Sequence, residues 1–232
     1  MKNIYQKDYH KKYSQELLAR KHLLDFVKEN VIVKDKIVLD AGCNGGFLSF
    51  FMTHEGAKKV YGLDMSPGFI KSDIKRAKDE KIMNKFDFKV GNVEKLPYKD
   101  NFFDFIVSSE VIEHVERPEV VVNEFNRVLK KGGSILITTP NILNPMEIFH
   151  NLKHYCLWVL KKEPITHIQH FTFKNLRRLF DNKFKVIKIT GVGIGAAFLP
   201  LSKFGFVKKI DYLIGESLQP ISFDLFLLAK KK

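Results

Sequence analysis

A buried-looking strand running straight into a glycine turn is the part of this chain best suited to chemistry: Val38-Leu39-Asp40-Ala41-Gly42-Cys43-Asn44-Gly45-Gly46-Phe47. Glycine accepts positive φ and lets a ligand approach where a Cβ would otherwise stand. The helix expected next offers N–H groups with no intrahelical partner. A second acid, Asp64, closes the following strand twenty-four positions after Asp40. An acid so placed can accept both ribose hydroxyls of a nucleoside. Turn, strand and downstream acid would suit any adenosine-bearing cofactor. Asp40, however, stands immediately before the turn, where a pyrophosphate would need positive potential. An acid there suits a cationic ligand, such as one bearing an ammonium and a sulfonium.

These residues need a scaffold, and the hydrophobic rhythm supplies one. Runs rich in Val, Ile and Phe at 36–40, 59–63, 86–90, 103–107 and 134–138 read as buried parallel strands. Helical spacing fills the gaps, most clearly at 118–129. There Val121, Val122, Phe125, Val128 and Leu129 share a face, Pro118 suits the first turn, and Gly132-Gly133 are expected to stop the helix. Strands alternating with helices imply right-handed crossovers and a doubly wound α/β sheet. An opening helix is expected at 15–30. After Thr139 the rhythm breaks at Pro140-Asn141 and Asn144-Pro145. An amphipathic helix at 146–160, a helix capped by Thr172, and closing strands at 184–190 and 222–230 follow. Gly191-Val192-Gly193-Ile194-Gly195 resembles a second nucleotide loop, but no strand–helix–strand pattern follows it. It reads instead as a close-packed loop near the substrate.

With 232 residues, 45% hydrophobic and 28% charged, the chain has the size and composition of one globular domain. Its expected parts are an N-terminal helical segment (1–34), a cofactor-binding core (35–141) and two substrate-side insertions (142–171 and 191–220). Two cysteines cannot build a disulfide framework, and no apolar leader opens the sequence. Both point to the cytoplasm. No stretch approaches the roughly 18 apolar residues of a membrane span. A net charge of +13 would attract nucleic acid, anionic lipid or an acidic small molecule. The lysines are spread along the chain, which argues against one binding stripe, and Lys230-Lys231-Lys232 reads as a solvated tail.

The run DAGCNGGFLS resembles motif I of the class I S-adenosylmethionine-dependent methyltransferases. The segments VYGLDMSPGFI, GNVEKLPYKDNFFDFIVSSEVIEHV and EFNRVLKKGGSILITTPN are similar to their later motifs, in the broad group that includes the ubiquinone-biosynthesis enzymes. The resemblance spans about residues 35 to 141. It implies a Rossmann-like methyltransferase fold with a mainly parallel sheet of seven strands, the last antiparallel, carrying insertions after strand 5 and between strands 6 and 7. It also implies S-adenosylmethionine as cofactor. Asp40, Gly42 and Gly46 would hold its methionine end, with Cys43 in the same loop. Asp64 would take the ribose, Met65 would flank the adenine, Asn92 and Val93 would meet its edge, and Ser109 and Glu110 would border the sulfonium. Asn44 replaces the usual middle glycine, and asparagine tolerates left-handed geometry. Asn92 stands where aspartate is common, and its amide oxygen can still accept from the adenine amino group.

Methyl transfer from a sulfonium is an in-line displacement in which alignment supplies most of the acceleration. A base is needed only for an alcohol or phenol, and histidine is the usual one near neutral pH. The catalytic candidates are Glu113 and His114, past the fourth strand, and His167 and His170 in the insertion. Beside these stand structural readings, in which His170 braces the helix opening at Thr172 and His114 packs locally. Glu113 and His114 form no tight ligand cluster, so no metal is expected. The insertions, with Phe149, Leu152, Trp158, Val159, Lys153, Lys161 and Lys162 in the first, would form either a lid or a peripheral membrane contact. The leading expectation is methylation of a small molecule, most simply on oxygen. The alternatives are an RNA methyltransferase, a membrane-associated lipid or quinone methyltransferase, and a non-catalytic cofactor-binding protein.

Overall fold

Short strands too apolar to leave either face wet must be covered on both sides, and the chain alternates them with helices that do so. The computed structural model describes residues 16–144, 168–193 and 221–232. Its strands are β1 (Ile37–Ala41), β2 (Lys59–Asp64), β3 (Phe86–Val90), β4 (Phe103–Ser109), β5 (Leu129–Pro140), β6 (Phe184–Val192) and β7 (Asp224–Lys231). They form one sheet in the order β3-β2-β1-β4-β5-β7-β6. The first five pair in parallel, and β7 runs antiparallel between β5 and β6. This is the mainly parallel, seven-stranded α/β arrangement expected from the sequence.

The helices are α1 (Glu16–Asn30), α2 (Phe47–His54), α3 (Pro67–Asp79), α4 (Pro118–Val128) and α5 (Phe173–Asp181). Two apolar layers sandwich the sheet. On one face Leu39, Leu63 and Ile106 meet Val121 and Phe125 of α4 and Phe180 of α5. On the other, Val38, Val60 and Val107 meet Phe26 of α1, Phe50 of α2 and Ile70 of α3. The opening helix and the α4 face agree closely with the sequence reading. So does the Thr172 cap: its hydroxyl accepts from the Asn175 N–H at 3.4 Å, and Asn175 Oδ1 accepts the Thr172 N–H at 2.6 Å. The helix expected at 146–160 lies outside the described residues, as does the Gly-rich run beyond Gly193.

Two expectations need correcting. Helix α4 stops at Val128, before the glycines, and β5 already begins at Leu129. Phe103 pairs with Leu129 but Phe105 with Ser134, so residues 130–133 form an excursion within the strand. Gly132 makes it possible at φ +74°, and a Cβ at Gly133 would come 2.9 Å from the Lys130 carbonyl. The carboxyl-terminal lysines are not simply a tail. Lys230 and Lys231 belong to β7, and Lys231 Nζ donates to the Leu129 carbonyl at 2.8 Å and to Asn101 Oδ1 at 2.9 Å.

Candidate active site

Strand order reverses at β1, from which the chain winds outward through β2 and β3 before crossing to β4 on the other side. A crevice opens beyond the carboxyl ends of strands at such a point. The turn after β1 is built for it. Gly42 adopts φ +82°, and a Cβ there would collide with the Val111 side chain. The N–H groups of Gly42 and Cys43 donate to the Leu63 carbonyl at 2.7 and 3.0 Å, tying this turn to the end of β2. Asn44 takes the left-handed conformation (φ +46°) that its side chain tolerates.

Asp64 links two turns. Its Oδ2 accepts the Asn44 N–H at 2.9 Å and its Oδ1 accepts the Ser66 N–H at 2.8 Å. A carboxylate has about four acceptor sites, so capacity remains on a residue that lines the crevice. Asp40 is 1% exposed and accepts the Ser49 hydroxyl of α2 at 2.7 Å. Burial lifts its pKa to about 7; the Ser49 hydrogen bond opposes this and the nearby Asp64 charge adds to it. Asp73 of α3, packed 3.0 Å from where a Gly46 Cβ would sit, is also raised to about 7, by burial and then by Asp40. The Cys43 thiol points at Asp73 Oδ2 from 3.9 Å, and burial and then the neighbouring acids push its pKa upward, which favours the protonated thiol.

The crevice has a volume of about 580 Å³, within the roughly 300–1,000 Å³ usual for small-molecule sites. Asp40, Gly42, Cys43, Asp64, Met65, Val93, Ser109, Glu110 and His114, all singled out from the sequence, line it. Gly46 shapes the turn behind it, opening α2 at φ +66°. Asn92 is exposed and stands off the lining, with its Oδ1 accepting the Glu94 N–H at 2.8 Å. Glu113 sits behind the wall. It is 2% exposed, accepts the Thr139 hydroxyl at 3.0 Å and lies 3.7 Å from His114 Nε2. Its carbonyl takes the N–H groups of Ile168 and Gln169, both at 2.9 Å, which pins the chain leading into α5. His170 is exposed and away from the crevice, and its carbonyl accepts from Asn175 Nδ2 at 3.0 Å. His167 lies outside the described residues.

Sequence reasoning missed several lining residues. Thr138 at the end of β5 donates to Glu110 Oε1 at 2.8 Å and shares a 2.8 Å hydrogen bond with the Ser109 hydroxyl. Its place near the carboxyl end of a strand was a usable signal. Leu23 of α1 and Phe223, Asp224 and Phe226 at the start of β7 carry no local signature. Among the described residues the lining holds four carboxylates (Asp40, Asp64, Glu110 and Asp224) and His114, but no lysine or arginine. The described residues contain no group of three or more His, Cys, Asp or Glu able to hold a metal ion.

Residues 39–137 match a family model described as a methyltransferase domain. A ubiquinone biosynthesis O-methyltransferase of Pelagibacter ubique (strain HTCC1062) is 37% identical over 127 residues, which cover 50% of this chain and 51% of that one. The chain thus spans about half the length of the curated relatives it matches. Among solved structures, an S-adenosylmethionine dependent methyltransferase from Mesorhizobium loti aligns with a TM-score of 0.68 at 16% identity, covering 92% of this chain and 98% of that one. Geranyl diphosphate methyltransferase in complex with SAM aligns with a TM-score of 0.65 at 18% identity, covering 93% and 85%. At those identities what is shared is the fold.

Proposed function

We propose that this chain, whose residues 39–137 match a methyltransferase domain, is a class I S-adenosylmethionine-dependent enzyme that methylates a small, neutral or cationic acceptor on oxygen. The observation that carries this reading is the sign of the crevice: among the described residues, four acids and a histidine line it in a protein of net charge +13. The residues suit the cofactor. Asp40 offers a buried carboxylate to a cationic group, Asp64 keeps acceptor capacity for a ribose, and the exposed Met65 and Phe69 offer apolar walls to a purine. Bound S-adenosylmethionine supplies a methyl group already activated by its sulfonium.

The protein's own part is chiefly alignment and the exclusion of water. The hydrogen-bonded set Ser109, Thr138 and Glu110 fixes the crevice wall at the ends of β4 and β5. In this reading His114 takes the acceptor's hydroxyl proton, with the buried Glu113 carboxylate orienting the ring from behind. The overall charge favours one competing reading, an RNA acceptor, but phosphates entering an acid-lined crevice would be repelled. The test has two stages. Calorimetry with S-adenosylmethionine should give one site per chain, and absence of heat would overturn the reading at its root. Labelled methyl transfer is then offered to phenols, aliphatic alcohols, amines and bulk RNA. Label on a hydroxyl compound supports the proposal, while label on RNA alone transfers it to the competing one.

A further inference from the structure

Lysines that are scattered along the sequence converge once the sheet is formed. The amino ends of β1, β2, β5 and β6 and the carboxyl end of antiparallel β7 all lie at the edge opposite the crevice. Lys36 precedes β1, Lys59 pairs with Ile37, and Lys130-Lys131 open β5. Lys185 faces Lys230 across β6 and β7, and Ser134 faces Lys230 from the other side. Lys58, Lys183 and Lys232 flank these positions and are exposed. Acids at this edge offset part of the charge, Glu55 pairing with Lys28 at 3.6 Å and Asp100 acting on Lys231. Asp104 is paired with Lys130 at 2.8 Å, Asp181 lies 3.4 Å from Arg177, and Asp35 sits in the turn before β1. From β2 to β6 the sheet order spans six strands, so at a spacing of about 4.8 Å the belt is about 24 Å wide.

The belt's chemistry is selective. Its cations are lysines, compact point charges without the planar fork with which arginine recognises bases or stacks. Its aromatic rings are covered rather than offered for stacking: Lys59 lies 5.7 Å over Tyr61 and Lys99 lies 5.4 Å over Phe102. Nucleic acid recognition leans on such platforms. What protrudes instead is aliphatic. Ile32 is 81% exposed, at the rim of a hollow of about 400 Å³ lined by Lys36, Lys130, Lys131 and Gly132. Basic residues surrounding an exposed aliphatic side chain match the demands of an anionic membrane surface.

We propose that this edge docks on anionic lipid, with the lysines meeting headgroup phosphates and Ile32 entering the interface. Docked so, the crevice at the far ends of the strands opens toward water. No described helix is long and apolar enough to cross a membrane. The inference does not depend on the methyl-transfer reading.

Vesicle co-sedimentation of the full chain tests it, with phosphatidylcholine alone against a mixture containing about one third phosphatidylserine, at about 50 and 300 mM NaCl. The expected result is binding to the mixed vesicles at low salt only. The combined change Lys36→Glu, Lys131→Glu and Lys230→Glu should weaken it at least about tenfold. A control with the same change of charge on exposed lysines elsewhere, Lys71→Glu, Lys75→Glu and Lys95→Glu, should weaken it less than about twofold. Ile32→Ser should weaken it without altering its salt dependence. Matching melting curves certify folding, and any variant that melts early is replaced by the corresponding glutamine set. No binding to mixed vesicles overturns the proposal, as does an equal loss in the control. So does RNA binding at the same salt without vesicle binding.

Discussion

Asp64 both ties two turns together and lines the crevice, so its loss should be felt in binding before stability. Asp64→Ala should weaken S-adenosylmethionine binding by roughly 1.5–3 kcal/mol, the scale of hydrogen bonds to a charged group, as read by calorimetry. Unchanged affinity would remove the ribose assignment. Asp40 makes a pH prediction whose sign can be worked out. With a pKa of about 7 in the free protein, it is largely protonated at lower pH. A cationic group held beside it would pull that pKa down, so binding releases a proton. Affinity should therefore rise as pH climbs toward 7, by up to about tenfold per unit, and level off above it. Asp40→Asn should flatten the curve and weaken binding at high pH. His114 separates the two histidine readings. His114→Gln should cut turnover of a hydroxyl acceptor by about 10²–10⁴ while leaving cofactor affinity alone. If turnover is unaffected, the side chain merely packs there.

Among the elements, α5 is a helix whose start is written into its sequence. Thr172 and Asn175 exchange hydrogen bonds as a capping box, so Thr172→Ala should lower stability by about 1 kcal/mol in urea titration. Cofactor affinity should stay the same, because α5 buries Leu176 and Phe180 in the layer below the sheet and contributes nothing to the crevice lining. The α4–β5 junction shows where local reading falters. Gly132-Gly133 look like a helix stop, but strand pairing with β4 claims Leu129 first and pushes the glycines into an excursion. Glu113 teaches the same lesson for a side chain. Its sequence position is that of a base, yet its carboxyl is buried against Thr139 and its carbonyl holds the segment at Ile168.

For the molecule as a whole, ligand binding and folding are linked through mass action. Saturation at about 100 times Kd adds about 2.7 kcal/mol, and at about 2–4 °C per kcal/mol for a chain of this size Tm should rise by about 5–10 °C. Asp64→Ala should shrink that rise at the same cofactor concentration. Charge is likewise a whole-molecule property. From the sequence +13 reads as a diffuse surface, whereas the sheet sorts it into an acid-lined crevice at one end and a lysine belt at the other. The sequence by itself determined the α/β rhythm, the Gly42 turn and the Asp40–Asp64 pair, because strand, turn and helix start are set by neighbours a few residues apart. Only the tertiary structure decided that Asp224 and Phe226 join the crevice, that Asn92 and His170 stand off it, and that distant lysines meet. Those outcomes depend on pairings between segments far apart in the chain, such as β7 inserted between β5 and β6, that no local pattern encodes.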